Sequence, residues 1–105
     1  MNRPFLSKIL WATGSILFFG CSPTLPRVDS TSLLSIRATR PWATIEGLGE
    51  GRHLYASRCG SCHGLPKISS HSPEEWPHLV EWMAPKAKLD TTQTRQLLDW
   101  VLSVR

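Results

Sequence analysis

Cys59, Cys62 and His63 stand together in the run Cys59-Gly60-Ser61-Cys62-His63. Two thiols at i and i+3 lie on one side of a helical turn, and an imidazole follows at once. That geometry suits a porphyrin plate: both sulfurs reach its vinyl groups as thioethers, and His63 offers a nitrogen to the iron. Gly60 and Ser61 are small enough to let the plate approach the backbone. Other uses of paired cysteines fit less well. A redox dithiol of this spacing belongs to alternating strands and helices, and no such alternation is present. A structural zinc site takes four ligands. His53, His71 and His78 could supplement the two thiols, but there is no second cysteine pair. A disulfide across i and i+3 closes too short a loop to stabilise much.

An iron held by His63 has a position open on its far side. Beyond residue 20 the chain has one methionine, Met83, twenty residues after His63. Its polarizable thioether suits haem iron, and His/Met ligation raises the reduction potential. Met83 is therefore the expected distal ligand. His71 and His78 are the alternatives and would give a bis-His haem of lower potential. An open sixth position would instead make a gas-binding or peroxidase-like haem protein. His53 is expected in solvent.

Three helices must position these groups. The first is expected over Leu48–Ser57, carrying Gly51 and Tyr55 eight and four residues before Cys59. The second runs over Pro73–Ala84, with Ser72 as cap, Glu74 and Glu75 at its positive end and Pro85 as its stop. Pro77 inside it is expected to kink it. The third opens at Asp90-Thr91-Thr92-Gln93, a capping signal, and runs to about Val104. Leu97, Trp100, Val101 and Val104 then share one face at i, i+3, i+4 and i+7. Trp76 and Trp82 flank the second helix as candidate walls against water.

From Leu48 to Arg105 the chain resembles the small class I cytochromes c. In that family an N-terminal glycine and aromatic pack against an aliphatic and aromatic pair on the C-terminal helix. Gly51 with Tyr55, against Leu97 with Trp100, would reproduce that crossing. The resemblance implies an all-α domain of three to four short helices around one covalently bound haem c. The iron would be ligated by His63 and Met83, and the activity would be one-electron transfer between redox proteins rather than enzymatic turnover. The chain departs from the usual pattern in its short His63–Met83 interval. It also lacks the proline about a dozen residues past the histidine. Pro66 follows His63 by three, which makes a carbonyl in Leu65–Lys67 the candidate to orient the imidazole.

The remaining residues concern delivery. Residues 1–20 begin with Arg3 and Lys8, contain no acid and continue in an apolar run, Ile9–Gly20. As a helix that run covers about 18 Å of a bilayer core of roughly 30 Å, so it reads as an export signal rather than a span. It ends Leu17-Phe18-Phe19-Gly20-Cys21, which resembles a bacterial lipoprotein signal, although Phe18 and Phe19 stand where leucine and a small residue are usual. That resemblance implies cleavage before Cys21 and lipidation of Cys21, anchoring the chain to the periplasmic face of a membrane. Residues 21–43, rich in Pro, Ser and Thr, are expected to form a flexible tether that lets the domain 44–105 swing between membrane partners, although Leu33, Leu34 and Ile36 could pack down as a short strand or turn. The net charge of +4 lies wholly in leader and tether. From Thr44 onward seven Lys/Arg balance seven Asp/Glu, which argues against a nucleic-acid surface. Some sixty residues form a small core, and a covalent cofactor would supply the apolar volume it lacks.

Overall fold

The computed structural model describes Gly14 and residues 24–60 and 64–105. Four α-helices occur among them: α1 (Ser30–Arg37), α2 (Ile45–Leu54), α3 (Glu75–Met83) and α4 (Thr91–Ser103). A π-helical turn, Tyr55–Cys59, extends α2, and a single 3-10 turn covers Ile68–Ser70. The described residues contain no strand, so the fold is all-α.

The α2–α4 crossing organises the rest, and glycine makes it possible. A Cβ on Gly51 would lie 2.1 Å from the carbonyl oxygen of Gln96 and 2.9 Å from Cβ of Trp100. Only glycine admits so close an approach. Leu48, Tyr55, Leu97, Trp100 and Val101 are all at most 1% exposed around it. The Tyr55 and Trp100 ring centroids are 5.2 Å apart, tilted by 49°. Asp90 caps α4 as expected: its carboxylate accepts from the Gln93 backbone N–H at 2.8 Å, and the Gln93 side chain accepts from the Asp90 N–H at 3.0 Å.

α3 is shorter than expected. Ser72 accepts from the Glu75 N–H at 3.2 Å and the helix begins at Glu75, so Pro77 falls in its first turn. The missing N–H of proline costs little there, because first-turn amides have no partner within the helix.

Residues 24–43 correct the tether expectation. Asp29 and Ser32 form a capping box, and α1 follows, with Ile36 buried in the core. Ser35 Oγ donates to the carbonyl of Ser103 at 3.3 Å, joining α1 to the end of α4. Arg40 pairs with the buried Asp99 of α4, and Trp42 Nε1 donates to its second oxygen at 3.1 Å. Upstream of α1, Arg52 of α2 donates to the carbonyls of Leu25 and Pro26 at 3.1 and 2.9 Å. In place of a loose coil, residues 24–43 therefore hold a helix packed against α2 and α4, with Ile36 in the core. The expected leader, 1–20, lies outside the described residues except for Gly14.

Candidate functional site

Tyr55 is the boundary between the packed crossing and a cavity. Its ring meets Trp76 of α3 edge-on, with centroids 6.3 Å apart. Its hydroxyl donates to the Pro66 carbonyl. Trp76, 2% exposed, donates Nε1 to the Ile68 carbonyl at 3.0 Å. Each aromatic buries its body and satisfies its polar tip on the same loop, which pins residues 66–68 across the molecule. Of the carbonyls in Leu65–Lys67, the stretch expected to orient the imidazole, that of Pro66 accepts from Tyr55 and that of Lys67 from the Ser70 hydroxyl, while His63 lies outside the described residues.

Behind that loop lies a cavity of about 230 Å³. Cys59, at the end of the π-helical turn, and Met83, at the end of α3, both line it. Tyr55, Trp76, Val80 and Leu97 supply much of its apolar surface. Widened helical turns of this kind are frequent at functional sites, and this one delivers Cys59 half-buried to the wall. Arg58 ties the two sulfur-bearing segments together. Its guanidinium donates to the Ala87 carbonyl at 3.1 Å, in the turn that follows Met83. Sequence reasoning missed this strut, whose two ends lie 29 residues apart.

Burial sets the electrostatics of the wall. Burial pushes the Cys59 thiol above its ordinary value. Tyr55 is pushed up to about 12, mainly by burial and further by the charge Cys59 would carry. Both are therefore protonated at neutral pH, and a buried neutral thiol is a poor redox nucleophile.

His71 also lines the cavity, but its Nδ1 lies 3.2 Å from a Glu75 carboxylate oxygen and its ring stands edge-on to Trp76 at 5.3 Å. His53 and His78 are exposed, and neither lines the cavity. Trp82 is 63% exposed at the cavity edge with Lys86 Nζ 3.1 Å from its ring centroid, so it forms a rim rather than an inner wall. Gly60 has Leu65 side-chain carbons 3.3 Å from where a Cβ would sit, so bulk there would press on the loop.

Of the expected site residues, Cys59 and Met83 are brought to one cavity. Cys62, His63 and Cys21 lie outside the described residues. Among the described residues no three His, Cys, Asp or Glu side chains gather as a metal site, and no helix is long and apolar enough to cross a membrane. What the described residues bring together is an apolar cavity with one motif thiol and one thioether in its wall, groups compatible with a porphyrin edge. Compared with known protein families, curated proteins and solved structures, the chain matches none.

Proposed function

We propose that this protein is a mono-haem c-type cytochrome that carries single electrons between redox proteins at the periplasmic face of a bacterial membrane. One observation carries the reading: the first cysteine of a C-x-x-C-H run and the sole methionine beyond residue 20 line the same apolar cavity. Cys59 and Cys62 would hold the macrocycle by thioether bonds, with His63 and Met83 as axial ligands. When bound, the haem supplies a one-electron Fe(III)/Fe(II) couple.

The chain's own residues keep that centre shielded and rigid. Tyr55, Trp76, Val80 and Leu97 exclude water, and Arg58 holds the segments that carry Cys59 and Met83 in register. Tyr55 and Trp76 fix the loop after the motif through its carbonyls. Lipid on Cys21 would restrict the carrier to membrane partners.

The test is the absorption spectrum of the mature protein made in a host competent for covalent haem attachment. A c-type spectrum with a weak methionine-to-iron band, lost in Met83→Ala, is expected. Rapid carbon monoxide binding by the reduced wild-type protein would favour an open sixth position instead.

A further inference from the structure

The corrected reach of the tether bears on how the protein meets its membrane. Arg52 fixes the carbonyls of Leu25 and Pro26 to α2, so only Ser22, Pro23 and Thr24 separate Cys21 from docked chain. Four fully extended residue steps from Cys21 to Leu25 span at most about 14 Å. The 22-residue coil expected from composition would have held the domain on the order of 25 Å away with free rotation.

The surface at the end of this short link has a definite character. A groove of about 490 Å³ runs between Thr24–Pro26, the loop Leu65–Ser69 and the C-terminal end of α4. Its apolar floor includes Leu25, Leu65, Ile68 and Val104, and its charged side chains are Lys67 and Arg105, with no Asp or Glu among the lining residues. The groove along α3 and the start of α4 differs, having both Glu81 and Asp90 in its lining. Cationic side chains around exposed apolar groups suit an anionic lipid surface.

We propose that the groove face, bearing Leu25, Leu65, Lys67 and Arg105, lies against the bilayer, so that the domain is held on the membrane in one orientation. The proposal rests on lipidation of Cys21 and goes beyond it, since a lipid on a long tether would orient nothing. Pro66 lines both this groove and the Cys59–Met83 cavity. The candidate redox site would therefore sit close to the membrane plane, and partners would have to reach it there.

The α4 helix is a built-in ruler. Val104 and Arg105 line the groove, while Thr91 begins the helix thirteen residues earlier, roughly 20 Å away. Ser69→Cys and Thr91→Cys each place one labelable thiol, at the groove and at the far end of α4 respectively. The lipidated holoprotein is bound to vesicles of phosphatidylethanolamine and phosphatidylglycerol, and its labelling by a bulky polar maleimide is timed. The reference is the soluble holoprotein produced without lipid and with Cys21→Ser, so that position 69 or 91 carries its one free thiol. The expected result is a severalfold slowing at position 69 with little change at 91. A flexible insertion of about twenty residues after Ser22 should abolish the slowing. Equal labelling at 69 and 91 in protein whose mass shows an acylated Cys21 would overturn the orientation and leave the lipid anchor standing. A mass without the acyl groups would overturn both.

Discussion

Where α2 crosses α4, no space is left. Gly51 lies against the Gln96 backbone, and Trp100 and Val101 are wholly buried. On the other side of Tyr55, α3 faces an apolar cavity, and Met83, Leu79 and Cys59 are only half covered. The two regions share Tyr55 and Leu97, so one side chain can finish a packed core and begin a binding wall. The contrast separates a fully packed scaffold from a half-covered apolar wall.

The largest expected effect comes from withholding the cofactor. Protein made without haem attachment should lose most of its amide protection across α3 and the 64–74 loop, while the α2–α4 crossing keeps more. Uniform protection in both regions would erase the distinction. Gly51→Ala strikes the scaffold instead, because a Cβ there meets backbone that has no rotamer to yield. A loss of about 3 kcal/mol or more is expected in denaturant titration. Asp99→Asn should cost less, about 2 kcal/mol, since Arg40 and Trp42 would lose their charged acceptor but can turn partly to water. Met83→Ala should change the spectrum and potential while leaving the far-ultraviolet circular dichroism nearly intact.

The smallest effect is at α1. The Ser32 backbone N–H, and then its hydroxyl, hold the Asp29 carboxyl below its ordinary value of 3.8. A depressed carboxylate stabilises the fold above its unfolded pKa, and that contribution disappears as pH falls through the lower folded value. Relative to its intrinsic rate at each pH, the amide exchange of Ser32 should therefore quicken below about pH 4. In Asp29→Asn, which still accepts at the cap, that acid-dependent quickening should be absent.

Where local rules decide structure, it was legible in the sequence. The Asp90–Gln93 box and the face of Leu97, Trp100 and Val101 follow from capping and periodicity, whereas the pairing of Gly51 and Tyr55 with α4 is what the family resemblance implies. α1 was hidden because its stability comes from distant partners, chiefly Ser103 and the α2–α4 core, and because its box uses Ser32 rather than a glutamate or glutamine. The Asp99 latch reaches across 59 residues to Arg40, and Arg58 reaches across 29 to Ala87. No local pattern encodes either. Met83 was singled out from its type and solitude, and its place in the cavity with Cys59 came from the fold.

The central claim is a haem joined covalently through Cys59 and Cys62. Intact-mass spectrometry of the mature, denatured protein tests it most directly. The account predicts a mass raised by one haem that survives denaturation and is lost in the Cys59→Ala, Cys62→Ala double variant. A mature protein from a competent host that carries no added haem mass would contradict it.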